Sequence, residues 1–490
     1  MKLVLDASDC FEKVEESEAD VVERINAYCI KEEIFSEEYQ EVDDAGKSKM
    51  SKKVAHIYLS MKVHKAFAQW REICGHRNQP TMPLSRIVAL CLQKVIEKVD
   101  AIWKHMFFHY SGIVVDGCPI LKNADAMVRR LKSTNRLADR SVINLESCEV
   151  ASYDFNRLYP SLVQKDMVRR LKLLLKYIFT VVQSELVQNA DEGEVFLAVE
   201  KFPACEEAVW CVGMSLDEDP SKIRLDARKL TRYIKYIITN SFATFDGELY
   251  KLTRGLPAGT NMAPDLTNVY LVTYEMPYMH NLLQKWDELP NSLRVLAITY
   301  SRFIDDVFAC RTDGLDLKSQ LYHDKHGAEG IFPTQLKDWD GNILDNPLSV
   351  NGEPSQSCSY LDLKISVKNQ RLRHVLYDKR EHLFAGGKRL SELRNFPHVD
   401  TALSDSCKLA VITSQLHRFN RRTDDGANFV KITVHLAQKM IVEGYRKVDV
   451  IRKIVSYGRH WFGAEYMGPW PWVLRKILKK IKRWHVRFVK

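Results

Sequence analysis

The sequence has no run of about 18 apolar residues, so it offers no stretch that would cross a bilayer as a helix. Its start lacks a basic stretch followed by an apolar one, the mark of a secretory signal. An intracellular protein, nuclear or cytoplasmic, with no membrane partner is therefore expected. The 11 cysteines stand singly, with no CxxC pair and no Cys/His ligand spacing, which argues against a structural zinc and for reduced, mostly buried thiols. No internal repeat occurs, and no low-complexity tract beyond an acidic start.

What is present is a long chain with a large apolar content. Its 490 residues, 46% of them hydrophobic, supply roughly three or four cores at about 100 to 200 residues each. Lys and Arg outnumber Asp and Glu by 72 to 63, a formal net charge of +9 that suits a polyanionic partner. The charge is unevenly spread: residues 1–44 are acidic, whereas RKILKKIKRWHVRFVK from Arg475 has cationic side chains and no carboxylate side chain. Such a basic amphipathic end suits a solvated helix face, a membrane-surface segment or an import segment as well as a nucleic acid.

Periodicity divides the chain. In the acidic start, Val21, Val22, Ile25, Tyr28 and Cys29 are spaced for one amphipathic helix, and 45–53 reads as a linker. An apolar segment, HIYLSMKVHK, begins at His56, and apolar spacing predicts a helix over Ile87–Phe108. The middle alternates: a strand at 149–155, a helix from about Ser161 to Leu186, a hairpin around FATFDGELYKL, a helix after Pro264 and a strand pair from Leu293 to Cys310. After Asp400 the pattern is helical, with Gly444 expected to stop the second helix. Strands and helices in this arrangement predict an α+β fold.

The chemistry concentrates in a few segments. Asp305 and Asp306 lie between strand-forming residues in RFIDDVF, the pattern of a tight hairpin. Asp-Asp also occurs at 43–44 and 424–425, where a turn with solvated carboxylates is the ordinary reading. Only the pair at 305 has apolar strand-like neighbours on both sides, which would fix two repelling carboxylates at a rigid hairpin and favour a bound cation. A further carboxylate is offered by Asp154, where a strand ends before a helix near Pro160. Carboxylates on neighbouring strand ends suit two Mg²⁺ ions, or Mn²⁺ in their place, in two-metal phosphoryl transfer. Between them the loop from Gly255 to Pro264 opens onto a helix whose first amides would suit an anion or a base.

In this order, DFNRLYPSL, GLPAGTNMAPDLTNVYL and FIDD resemble motifs A, B and C of reverse transcriptases. IYLSMKVHK with Arg71 is similar to the fingers region, SYLDLKISV to the strand after the palm core, and YDKREHLF to the primer-grip region. The form of motif B, SYLDL and NFPH look most like the cellular and Penelope-like branch, which is also near telomerase. The resemblance covers roughly residues 56–465 and implies a right hand. Its parts would be an acidic extension at 1–50, fingers at 51–145, an antiparallel-sheet palm at 146–400, a helical thumb at 401–465 and a basic tail at 466–490. The segment at about 163–254 is longer than in compact retroviral enzymes and reads as an insertion.

Carried over by position, the resemblance implies that Asp154, Asp305 and Asp306 are the catalytic carboxylates, with the Phe155 backbone carbonyl as a further metal ligand. It makes Tyr159 a steric gate against the ribose 2′-hydroxyl, and Lys65 and Arg71 the cations that hold the triphosphate. Gly259 would face the nucleotide, with Pro257 and Asn261 near template or primer. Lys364 and Lys379 would lie near the primer, where either suits protonation of the leaving pyrophosphate. The implied partners are an RNA template, a DNA or RNA primer and dNTPs. No GIY-YIG, RNase H or HHCC pattern is found, so cut ends would come from a partner nuclease or from the cell. The rival readings are a B-family-like DNA polymerase, which FIDD and the Gly-Pro loop oppose, an RNA-dependent RNA polymerase, which Tyr159 opposes, and a domesticated RNA-binding scaffold, which would have no need of the three carboxylates.

Overall fold

Local signals start and stop most elements where the chain needs them. The computed structural model describes residues 10–40, 50–61, 70–75, 79–187, 193–213, 219–257, 259–321, 330–345, 348–377, 397–461 and 470–483. After strand β1 (Phe11–Lys13), helix α1 (Glu18–Lys31) opens on Ser17, whose hydroxyl accepts from the Asp20 N–H, and it buries Val21, Val22, Ile25 and Cys29. Strands β2 (Ala55–Met61) and β3 (Trp70–Gly75) pair antiparallel. The long helix α2 (Met82–Ser111) has a proline in its first turn and stops at Gly112, φ +67. Helix α3 (Ala124–Asp139), capped by Asn123, and strand β4 (Glu149–Phe155) follow.

The segment expected as an insertion is built into the main core. Helix α4 (Gln164–Leu186), a small antiparallel sheet of β5 (Glu194–Glu200), β6 (Ala208–Gly213) and β7 (Lys222–Leu225), and helix α5 (Ala227–Thr239) bury Leu171, Leu197 and Ile234 together with Leu92 and Val95 of α2. The hairpin β8 (Phe242–Phe245) and β9 (Glu248–Leu252) joins a five-stranded sheet in the order β1-β9-β8-β2-β3. Helix α6 (Ala263–Leu283) is apolar nearly all round, as befits a helix buried at the centre.

The first part of the expected strand pair, from Leu293, is instead helix α7 (Asn291–Thr299), which begins after Pro290 and buries Val295, Leu296 and Ile298. A short apolar run is compatible with either a buried helix or a strand, and the proline start decides for the helix. The hairpin then consists of β10 (Ser301–Phe303) and β11 (Asp306–Arg311).

Beyond it lie the pair β12 (Gln335–Lys337) and β13 (Ile343–Asp345), strand β14 (Val350–Asn351), and the antiparallel sheet β15 (Ser357–Tyr360), β16 (Leu363–Lys368) and β17 (Arg371–Leu376). The order of the central sheet is β10-β11-β4-β14, all antiparallel.

The chain ends in α8 (Asp405–Arg422), α9 (Gly426–Val442), α10 (Lys447–Trp461) and α11 (Trp470–Arg483), which share a second core. Gly444, φ +93, closes α9: its N–H donates to Ile441 O at 3.1 Å and the Tyr445 N–H to Met440 O at 3.2 Å. The basic segment expected as a tail contains α11, whose Ile477 and Ile481 are fully buried in this core. Arg418 and Arg422 of α8 both donate to Asp362, and Arg422 also to Asp125 at 2.8 Å, tying the helical unit to the sheet and to α3. The fold is α+β, and among the described residues no helix is long and apolar enough to cross a membrane.

Candidate active site

The central sheet brings the candidate carboxylates together. Asp306 opens β11 and pairs with Asp154 near the end of β4, while on the far side of Asp154 stands Asn351 of β14. Residues directly opposite one another in adjacent strands face the same side, so Asp306, Asp154 and Asn351 form one row on one face. Asp305 occupies the two-residue loop between Phe303 and Asp306, and its carbonyl accepts from the Phe155 N–H at 3.1 Å. Ile304, ahead of it in the loop, has φ +54, a strained conformation for a β-branched residue.

The row is braced from behind. Tyr360 is fully buried and its hydroxyl donates to Asp306 O at 3.1 Å; burial pushes its phenol well up, so it stays a donor. The Asn156 N–H donates to Ser349 O at 2.8 Å and its amide to Ser349 Oγ at 2.9 Å, while the Asn351 amide donates to Asn156 Oδ1. At Gly352 a Cβ would come within 2.4 Å of Ser152 O, so β4 and the segment after β14 touch backbone to backbone.

The loop of the second motif is locked to the turn after the first. Tyr159, half-buried, lies in the single helical turn Leu158–Ser161 that follows Arg157, φ +49. The Leu256 N–H donates to Tyr159 O at 3.0 Å and the Gly255 N–H to Leu162 O at 2.9 Å. Gly255, φ +83, leaves no room for a side chain, since a Cβ would lie 2.5 Å from Tyr159 O. In that loop Pro257 is buried, whereas Gly259, φ +121, and Asn261 are exposed. Below it Asp166 accepts from Tyr270 at 2.9 Å, Arg169 at 2.5 Å, Arg170 at 3.1 Å and Tyr274. Burial opposes its charge, but the hydrogen bonds from Tyr274 and Arg169 and the Arg170 charge outweigh it and hold its carboxyl below the ordinary range. Phe332 stacks edge-on against both Phe155 and Tyr274, linking the first motif to α6.

The central sheet contains neither Arg71 nor Lys364. Arg71 is in β3 opposite Ser60, and Lys65 and Lys379 fall outside the described residues. Lys364, exposed on β16, lines a cleft of about 1300 Å³ between the sheet β15–β17 and helices α8 and α9, together with Lys368, Arg373, Arg418, Lys431 and Lys439. The cleft lining includes none of the three carboxylates.

Hard oxygen donors on one face of a sheet fit a divalent ion of the Mg²⁺ kind. Among the described residues no three or more His, Cys, Asp or Glu side chains are grouped so as to hold a metal ion by themselves. An incomplete carboxylate set is what Mg²⁺ uses when waters and substrate phosphates supply the other ligands. Sequence reasoning singles out the carboxylates but not their supports: Asn156, Arg302 and Tyr360 stand inside quoted motifs without a role, and nothing in the sequence marks Asn351 or Gly352.

No protein-family model matches the chain, and no curated protein matches it in sequence. Its fold is similar to that of telomerase from Candida albicans, solved in complex with the TWJ fragment of telomeric RNA, with TM-score 0.50 and 11% identity over 99% of this chain and 73% of that one. Two weaker likenesses, both with TM-score 0.41 and 11% identity, are to apo telomerase from Candida tropicalis, over 98% of this chain and 71% of that one, and to an insertion-loop deletion mutant of the RNA-dependent RNA polymerase of a human picobirnavirus, over 87% and 64%. The chain thus shares its overall fold with the Candida albicans telomerase.

Proposed function

We propose that the chain is a reverse transcriptase that extends a DNA or RNA primer with dNTPs on an RNA template, nearest the cellular and Penelope-like branch, which is also near telomerase. The observation that carries this reading is the shared sheet row of Asp154 and Asp306, with Asp305 in the adjoining turn. The locked contact between the two preceding motifs supports it further. In this reading residues 51–145 are fingers, 146–400 palm and 401–465 thumb, with α11 extending the thumb.

Asp154 and Asp305 would hold two Mg²⁺ ions, with the Phe155 carbonyl as an added oxygen and Asp306 in support; such ions would supply acidification of a primer 3′-hydroxyl and neutralisation of the triphosphate charge. Tyr159 lies under the sugar and excludes the ribose 2′-hydroxyl; the Leu256 N–H holds its carbonyl and the Gly255 N–H holds that of Leu162, just past the same turn. Arg71 grips the triphosphate as a fork and Lys65 as a point charge. Gly259, Pro257 and Asn261 border the nucleotide and template. Lys364 contacts the primer or template in the cleft, and Lys379 is the candidate acid for pyrophosphate.

The test is extension of a DNA primer on an RNA template with dNTPs and Mg²⁺ or Mn²⁺, wild type against Asp305→Asn. Synthesis in the wild type and its loss by at least about a hundred-fold in the variant are expected. Synthesis restricted to a DNA template would replace the reading with a DNA-templated polymerase. No synthesis on either template with either metal would point to a binding scaffold.

A further inference from the structure

Arg302 is the largest fully buried side chain among the described residues, and it lies three residues before Asp305. Its guanidinium pairs with Glu275 of α6 through two bonds, Nε to Oε1 at 2.6 Å and Nη2 to Oε2 at 3.0 Å. It also donates from Nη1 to Asn268 Oδ1 at 2.8 Å and from Nη2 to Asn268 O at 3.2 Å. Tyr300 donates to Glu275 Oε1 at 2.8 Å, completing the carboxylate's partners. One guanidinium donor is turned outward: Nη1 also reaches Ile304 O at 3.2 Å.

That last bond falls on the peptide joining Ile304 to Asp305, in the loop where Ile304 holds the strained φ of +54. A strained conformation persists only where its surroundings over-determine it. The peptide on the other side of Asp305 is held as well, by the Phe155 N–H. Asp305 is thus clamped between β4 and a guanidinium that is itself clamped to α6. Burial opposes the charge on Arg302, and the Glu275 carboxylate more than offsets it, so the cation persists across the physiological range.

We propose that Arg302 is a positioning residue that holds the Asp305 turn in register with helix α6, making the geometry of the metal-binding carboxylates depend on the helix that follows the nucleotide-facing loop. The inference rests on the polymerase reading for its catalytic consequence, but not for its structural one. Lysine at this position would keep the charge opposite Glu275 yet lack the fork needed to bond Glu275, Asn268 and Ile304 at once.

The experiment is Arg302→Lys in the full chain, read three ways: thermal unfolding, amide hydrogen exchange across 301–311, and steady-state extension with varied dNTP. A folded variant is expected to exchange its hairpin amides at least about ten-fold faster, with exchange in α2 and α4 unchanged. Its kcat is expected to fall by about a hundred-fold with the KM for dNTP within about two-fold, as a displaced carboxylate requires. A folded variant with wild-type exchange in the hairpin and wild-type kcat overturns the proposal. If lysine does not pack, the double variant Arg302→Met with Glu275→Leu removes both charges and leaves no buried ion unpaired; the same readouts apply, and failure of both variants to fold would assign the pair to stability alone and also overturn it. If the wild type shows no extension, the polymerase reading falls, while faster hairpin exchange in the variant still supports the clamp.

Discussion

Gly255 carries two constraints that can be separated. Its φ of +83 disfavours any side chain, and a Cβ there would press into the backbone of Tyr159 and Pro160, at 2.5 and 2.8 Å. Gly247, in the β8–β9 turn, has a similar φ of +77 but open space around it. Gly247→Ala is therefore expected to cost about 1–2 kcal/mol, the left-handed penalty alone. Gly255→Ala should cost more, about 3 kcal/mol or above, and should also impair dNTP selection, because it displaces the backbone that carries Tyr159. Urea unfolding of the two variants beside wild type checks the difference, and equal costs would mean the Tyr159 turn yields freely. The sequence singles out Asp154, Asp305 and Asp306 because strand-forming neighbours isolate them, and it marks Gly255 as the start of a loop. It gave no sign of what Gly255 touches, since that contact lies across 96 residues of chain and depends on how two motifs dock.

Among the elements, those with a strong local signal were legible: α1, α2, β4 and the β8–β9 hairpin form where spacing and turn residues predict them. Helix α7 was misread as strand because nine residues are too few for periodicity to separate the two. The basic amphipathic end that forms α11 suits a solvated helix face as well as other readings from its composition, because the partner that buries its apolar side, α9, is not revealed by spacing along one helix. That burial has a consequence. Ile477→Ala and Ile481→Ala each remove a fully buried side chain from the second core and are expected to destabilise the C-terminal bundle by about 2–5 kcal/mol. The loss should appear as faster proteolysis between α8 and α11, with the main core unaffected. A variant with unchanged protection there would return α11 to the status of an appended tail.

At the scale of the whole molecule, two cores meet across a cleft. One wall is the sheet β15–β17 with Lys364, Lys368 and Arg373; the other is α8 and α9 with Arg418, Lys431 and Lys439. The ion pairs of Asp362 with Arg418 and Arg422, and of Asp125 with Arg422, hold the walls together at one end. Cations on both walls suit a duplex backbone, whose binding releases counterions and weakens steeply with salt. The net charge of +9 would steer any polyanion toward the surface, so affinity at one salt concentration does not locate the site. The salt slope does. Lys364→Ala and Lys431→Ala, one from each wall, should each lower the slope of log K against log salt for a primer-template duplex by about one, and should weaken binding alike for unrelated sequences. Together they should lower it by about two, since the residues lie on different elements and would meet different phosphates. Lys176→Ala, on α4 and away from the cleft lining, removes the same charge and should leave the slope unchanged. Equal effects from all three substitutions would mean that the duplex responds to net charge, and that the cleft does not hold it.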